Sequence, residues 1–150
     1  MRQGCGFAYG IRLIPIEELL EHEEVVEDHV QLLIMLILKD GMLHYPILVE
    51  MRHKVILDGH HRFNALKRLG AAYVPALLIN YSSPAIKVLS WRPEVKVTKE
   101  LVIRAALSRR KLPPKTSRHV LIGYRVPKVD VPLKHLLIKI NRFPYIQDNV

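Results

Sequence analysis

The chain has 150 residues, of which 49% are hydrophobic, and its formal net charge is +9. This length and hydrophobic content predict a single domain over residues 1–150 with a substantial core, and they leave no room for a second domain. The one cysteine, Cys5, excludes an internal disulfide framework and favours a reducing compartment, so we expect a cytoplasmic protein.

The first half of the chain predicts strands that alternate with a helix. Apolar and β-branched runs predict a short strand at 12–16 and a helix at 27–39. Two further strands, at 47–50 and 54–57, flank a predicted turn at 51–53.

The second half continues the same alternation. Gly70 predicts the end of a helix, and Thr98 is a typical N-cap for a later one. The double proline at 113–114 breaks the chain before a further helix expected near Ser117. The predicted elements are a helix at 61–69, strands at 74–80 and 86–91, a helix at 98–108, the helix near Ser117 and a closing segment at 131–138. The whole pattern is α/β.

The first predicted helix is unusual because residues 32–38 are all apolar. Helices that are hydrophobic all round are buried. In a domain this small, such burial favours a partner surface, so we expect a homodimer contact through residues 30–38. A helix wholly inside the domain is the alternative. The run is too short to cross a bilayer, so we expect no membrane segment.

A glycine turn joins the strand at 54–57 to the following helix. Its sequence is Asp58, Gly59, His60, His61 and Arg62. Gly59 permits a tight turn and a close backbone approach, while the free N–H groups and dipole of a helix N-terminus favour an anion. The basic side chains add donors, so the turn predicts a phosphate site. The alternative is that Asp58 only caps the helix and the histidines lie on a solvated turn.

The chain is electrically asymmetric. Seven of its fourteen acidic residues lie between Glu17 and Asp28. Between Arg104 and Arg142 there are eleven lysines and arginines, opposed only by Asp130. This basic third favours anionic ligands, and charge alone leaves nucleic acid open as a partner.

The glycine turn resembles the phosphate-binding element of the ParB and sulfiredoxin superfamily, and its D-G-H-H-R form resembles the free L-serine kinases. The resemblance runs from about residue 14 to about residue 137. Other segments that resemble the family are residues 14–19, 22–24, 39–41, 46–49, 91–93 and 113–119.

The resemblance implies a ParB N-terminal-domain or sulfiredoxin-like fold, a small mixed sheet flanked by helices. It also implies Mg²⁺-dependent phosphoryl transfer from ADP or ATP to the hydroxyl of free L-serine. The product would be O-phospho-L-serine, which feeds cysteine biosynthesis. ADP and ATP both fit, because both present the same β-phosphate to the glycine turn.

The family pattern also implies roles for individual residues. Glu23 matches the general base, with Glu24 as its rival, and Trp91 matches a wall of the amino-acid pocket. Asp58 would support catalysis by holding Mg²⁺ directly or through water, although a capping role fits equally well. The residues implied in binding nucleotide and phosphate are Asp58, Gly59, His60, His61, Arg62, Thr116, Ser117, Arg118 and His119.

The second group of these residues follows the double proline. The hydroxyls and amides of Thr116 and Ser117 would form a second anion-binding turn, with a plain helix cap as the alternative. Arg118 and His119 would neutralise charge on the transferred phosphoryl group, and Lys115 would steer it.

Other functions fit the residues less well. The histidines lack the spacing of a zinc site, and His60 stands where a sulfiredoxin needs cysteine. A ParB partition protein would carry a further helix-turn-helix, so nucleic-acid binding is not favoured, though it stays open. The chain also lacks a segment that some relatives insert between 91–93 and 98–100. The competing hypothesis is a ParB-like nucleotide-binding regulator or DNA-binding protein without kinase activity.

Overall fold

The computed structural model describes residues 6–138. Cys5 and the basic residues beyond 138 therefore lie outside the described part of the chain. The strands are β1 Ala8–Pro15, β2 Met42–Leu43, β3 Ile47–Glu50, β4 Val55–Asp58, β5 Tyr73–Ile79, β6 Ile86–Ser90, β7 Ser117–Leu121 and β8 Val131–Pro132. The helices are α1 Glu27–Asp40, α2 His60–Arg68, α3 Lys99–Ser108 and α4 Leu133–Leu137, and a 3₁₀ turn covers Ile16–Glu18.

The central sheet has four strands in the order β1-β5-β3-β4. β3 runs parallel to β5, with Ile47 opposite Ala76, and the β1–β5 and β3–β4 pairs are antiparallel. Two small antiparallel pairs, β2–β8 and β6–β7, lie outside this sheet. The predicted small mixed sheet flanked by helices is confirmed.

Both faces of the central sheet are covered, because its strands alternate between two apolar clusters. Ile47, Val49 and Ile56 belong to the cluster beneath α1 and α2, which includes Phe63 and Leu66. Neighbouring residues in the same strands, such as Leu48 and Leu57, join the second cluster, which is completed by α3. The sheet is therefore packed on both faces, and the chain passes from the end of β4 through Gly59 directly into α2.

Most predicted elements match the structure to within a few residues, but the helix expected near Ser117 is wrong. Residues Ser117–Leu121 form strand β7 instead, which pairs antiparallel with β6. Pairing satisfies the backbone of β6, which would otherwise be an isolated strand. Thr98 is the N-cap of α3 as predicted, and it accepts the N–H of Leu101. The single-domain assignment of residues 1–150 stays a prediction.

Helix α1 is not wholly internal. Val30 and Ile37 are buried, whereas Leu32, Met35, Leu36 and Leu38 are exposed. One side of α1 thus packs on the core and the other presents apolar side chains to solvent. In the described part of the chain, no helix is long and apolar enough to cross a membrane.

Candidate active site

The turn between β4 and α2 has a backbone that only glycine can adopt here. Gly59 has a φ of +106° and is the N-cap of α2. A Cβ at this position would lie 2.5 Å from Cγ2 of Ile47, so a side chain is excluded on steric grounds as well. In the described chain no side chain caps α2, so Asp58 does not have the capping role considered above. The N-terminal amides of α2 are left for another acceptor.

The two histidines of this turn act as acceptors for the acidic loop. His60 Nε2 accepts the N–H of His22 at 3.1 Å, and His61 Nε2 accepts the N–H of Val26 at 3.0 Å. Burial lowers the pKa of both rings, well below its ordinary value for His60. His60 is buried, so its ring fastens the loop at 22–26 to the helix rather than facing solvent.

Arg62 and Asp58 lie on the other side of the turn. The Nη1 of Arg62 donates to the carbonyl oxygens of Tyr45 and Pro46, at 3.0 and 2.9 Å. Its Nη2 is 4.0 Å from Oδ2 of Asp58, whose side chain is 67% exposed. Both residues line a cavity of about 460 Å³ between α1 and the end of β4, together with Leu33 and Leu36.

The second predicted anion-binding turn does hold an anion, and that anion is the carboxylate of Glu23. Its Oε1 accepts the N–H of Lys115 at 3.1 Å. Its Oε2 accepts the N–H of Ser117 at 2.9 Å and the Ser117 hydroxyl at 2.8 Å. Glu23 is buried, whereas Glu24 is exposed. The two glutamates that the sequence could not separate therefore have different environments.

The remaining residues of this turn point in different directions. Thr116 is fully buried, and its hydroxyl donates to the carbonyl of Pro113 at 2.6 Å. The guanidinium of Arg118 lies 5.1 Å from the ring centre of Trp91, in cation–π geometry. The Trp91 side chain is 58% exposed, and the backbone N–H of Trp91 donates to the carbonyl of Thr116. Trp91 is therefore a surface residue that stays beside the turn, not a core residue.

His119 faces the interior. Its Nε2 lies 2.8 Å from the hydroxyl of Tyr81, and burial lowers the pKa of the ring to about 3. A ring that stays neutral near pH 7 supplies no positive charge. In this structure His119 supports the core behind the site.

His22 is a central residue of the site, although the sequence predicts no role for it. It is fully buried; Nδ1 lies 2.7 Å from the carbonyl oxygen of Ile56, and Nε2 lies 2.9 Å from the Ser117 hydroxyl. Its ring centre is 4.5 Å from that of His60 and 6.1 Å from that of His119. A histidine within an acidic run looks like solvated surface, so the only signal was its position beside Glu23.

The structure thus brings together Glu23, Lys115, Ser117 and the start of α2, with Trp91 and Arg118 at the margin. Asp58 and Arg62 lie around the turn, next to the cavity beneath α1. Within residues 6–138, no group of three or more histidine, cysteine or acidic residues could hold a metal ion. His22 and His60 are instead joined by the hydrogen bond from the His22 backbone N–H to Nε2 of His60, and the half-buried His119 lies edge-on to the His22 ring.

Comparisons with known proteins give relatives for this arrangement. The chain is 36% identical over 87 residues to an ATP-dependent L-serine kinase of Staphylothermus marinus, covering 55% of this chain and 34% of that protein. It is 30% identical over 87 residues to an ADP-dependent L-serine kinase of Thermococcus kodakarensis, covering 55% and 36%. A ParB-like protein of Sulfolobus acidocaldarius is 36% identical over 83 residues, covering 55% and 41%. No protein-family model matches the chain.

Over 55% of its length, the chain is similar to proteins named as L-serine kinases. The predicted resemblance is confirmed, although the matched region spans only about a third to two-fifths of the length of these curated relatives. Among solved structures, a free serine kinase in complex with AMP superposes with a TM-score of 0.77 at 18% identity, covering 84% of this chain and 93% of that one. At that identity the likeness shows the fold, which is the predicted one.

Proposed function

We propose that the chain transfers a phosphoryl group from ADP or ATP, with Mg²⁺, to the hydroxyl of free L-serine, giving O-phospho-L-serine. The observation that carries this proposal is a buried carboxylate, Glu23, whose charge acts on His61 at the start of α2, where Gly59 leaves the helix N-terminus without a side-chain cap. A phosphoryl transferase needs a phosphate cradle next to a group that orients the acceptor hydroxyl. Relatives named as serine kinases support the same reaction.

The phosphates of the nucleotide would lie at the start of α2. Gly59 lets the turn pack directly against Ile47, and the free amides and the helix dipole favour negative charge there. His61 is half-buried near Lys115, and Arg62 adds a fixed positive charge. We assign the phosphate contacts first to this turn.

Asp58 fits the role of a partner for hydrated Mg²⁺. Its carboxylate is largely exposed, and Nη2 of Arg62 lies 4.0 Å from Oδ2. Oxygen ligands of this kind suit Mg²⁺, which keeps several waters and binds mainly through substrate phosphates. Bound Mg²⁺ would neutralise charge on those phosphates.

The acceptor side would be formed by Glu23 and Trp91. Glu23 would accept the proton of the serine hydroxyl while the hydroxyl oxygen bonds to the transferred phosphorus. Trp91, held beside Thr116 by a backbone hydrogen bond, would form one wall for the amino acid. Arg118 stacks on the same ring and would bring positive charge toward the phosphoryl group.

Three wider statements belong to this proposal. We infer that the product serves cysteine biosynthesis, that the protein works in the cytoplasm, and that residues 30–38 form a homodimer contact. The apolar outer side of α1 supports the last of these.

The decisive test is to incubate the purified protein with Mg²⁺, L-serine and either ADP or ATP, and to follow O-phosphoserine by phosphorus NMR. Product with one donor would establish the kinase and its nucleotide. L-threonine and L-homoserine, tested in parallel, would define the acceptor.

The second candidate is a ParB-like nucleotide-binding regulator. It is favoured by the ParB-like relative and by the basic C-terminal third of the chain. Tight nucleotide binding without product from either donor would support this candidate and contradict the kinase.

A further inference from the structure

The hydroxyl of Ser117 lies between two acceptors directly behind the proposed base. Its Oγ is 2.8 Å from Oε2 of Glu23 and 2.9 Å from Nε2 of His22. Both partners are buried, and Ser117 itself is half-buried between them. A serine hydroxyl has a single proton and can donate it to only one of these two atoms at a time.

The opposite side of His22 determines which of its ring nitrogens carries hydrogen. Nδ1 lies 2.7 Å from the carbonyl oxygen of Ile56, and a carbonyl can only accept, so Nδ1 donates. Burial lowers the pKa of His22 below its ordinary value, although Glu23 raises it, so the ring is neutral near pH 7. Nε2 therefore has a free lone pair aimed at Ser117.

When a buried carboxylate takes up a proton, its new O–H group needs a hydrogen-bond acceptor. A buried donor without such a partner costs free energy. Three groups bond to Glu23: the N–H of Lys115, the N–H of Ser117 and the Ser117 hydroxyl. The two amides can only donate. Of these three groups, the Ser117 hydroxyl is the one that can also accept.

We propose that Ser117 is a hydroxyl switch for Glu23, with His22 as its alternative acceptor; this inference rests on the proposed kinase function. While Glu23 is ionised, Ser117 donates to its Oε2. When the O–H bond of the substrate serine breaks and its proton bonds to Oε2, the new carboxyl O–H donates to Ser117 Oγ. Ser117 then turns its own proton to Nε2 of His22, and no bond of Ser117 or His22 breaks.

In this arrangement Ser117 and His22 are positioning residues that act through Glu23. Both protonation states of the carboxyl group keep their hydrogen bonds without movement of heavier atoms, which is the preorganisation that proton transfer requires.

Kinetics of two Ser117 variants test the switch. We expect Ser117→Ala to lower kcat by roughly ten- to a hundredfold, the worth of a hydrogen bond to a charged group, with the nucleotide dissociation constant unchanged. Ser117→Thr keeps the hydroxyl and should restore most of kcat. Ser90→Ala is the matched control, because Ser90 pairs with Ser117 across the β6–β7 ladder but its hydroxyl donates to the carbonyl of Arg92.

Two results would overturn the switch. The first is full kcat in Ser117→Ala. The second is weaker nucleotide binding by this variant without a fall in kcat, which would make Ser117 a direct phosphate ligand. Nitrogen-15 NMR of the His22 ring gives a readout that does not depend on activity. The neutral Nδ1–H tautomer at neutral pH is expected, and an Nε2–H tautomer or a doubly protonated ring would refute the proposal. If the wild type makes no phosphoserine, the kinase assignment and the switch that rests on it both fail, and the tautomer tells whether the hydrogen-bond geometry was correct.

Discussion

Single residues decide whether the candidate site can form, and Gly59 is the clearest case. Replacing it by alanine places a Cβ against Ile47 at a φ that side chains rarely adopt. We expect Gly59→Ala to lower the free energy of unfolding by about 2–4 kcal/mol and to abolish nucleotide binding. Urea unfolding and nucleotide titration measure the two effects.

Gly70 provides the matched control at the other end of α2. It also has positive φ, but an added Cβ would meet nothing within 4 Å. Gly70→Ala should therefore lower the free energy of unfolding by only about 1–2 kcal/mol and leave nucleotide binding intact. Equal losses of binding in both variants would show that the close contact with Ile47 does not matter.

Glu23 is the second residue on which the function depends. Glu23→Gln removes the proton acceptor but keeps the size of the side chain, so turnover should fall at least about a hundredfold while nucleotide affinity is retained. Phosphorus NMR and calorimetric titration follow these quantities. Glu24→Gln is the control, because Glu24 is exposed and should tolerate the change. A Glu23→Gln variant with normal turnover would refute the assignment of the base.

At the scale of elements, helix α1 carries the dimer hypothesis. Its outer side exposes four large apolar residues, with Met35 the most exposed at 67%. A glutamate at this position would bury a charge in any contact that α1 makes, so we expect Met35→Glu to convert a dimer to a monomer in sedimentation velocity. Leu107→Glu, on the exposed side of α3, should leave the assembly unchanged. A monomeric wild type would contradict the contact.

The elements also show what the sequence could predict. The boundaries of β3 and α1 follow from local apolar patterns and are correct to within a residue. Strand β7 was mistaken for a helix, because a double proline followed by Thr116 and Ser117 also reads as a helix start. Its true structure depends on β6, which lies about thirty residues earlier in the chain, and local patterns carry no information on such pairing.

At the scale of the whole molecule, the sequence predicts which residues form the site but not which of them contact one another. The glycine turn was found because its chemistry is local: a strand, a glycine and a helix in succession. The bond between Glu23 and Ser117 joins residues 94 positions apart, so spacing could not reveal it. The burial of His22 also went unseen, since it depends on how the acidic loop folds back over β4.

Three histidines behind the site, the buried His22 and His60 and the half-buried His119, predict that the protein loses stability in acid. Their pKa values are lowered in the folded state, chiefly by burial, so the unfolded chain binds more protons as the pH falls below about 6.5. The stabilisation is complete above that pH and declines toward each folded pKa, which for His119 is about 3. For each ring that is still neutral at about pH 5, the free energy of unfolding should be about 2 kcal/mol lower than at about pH 7.5.

Urea unfolding at these two pH values, at constant ionic strength, measures this loss. His44 should affect stability in the opposite direction, because hydrogen bonds to Asp130 and Asp40 raise its pKa in the folded protein. Its ring is exposed, so this effect on the free energy of unfolding is small. His44→Gln should therefore leave the acid-dependent loss nearly unchanged, whereas His119→Gln should reduce it. If stability were equal at both pH values, the histidines behind the site would have to accept protons in the folded protein, and the neutral cluster that holds the acidic loop on α2 would not exist.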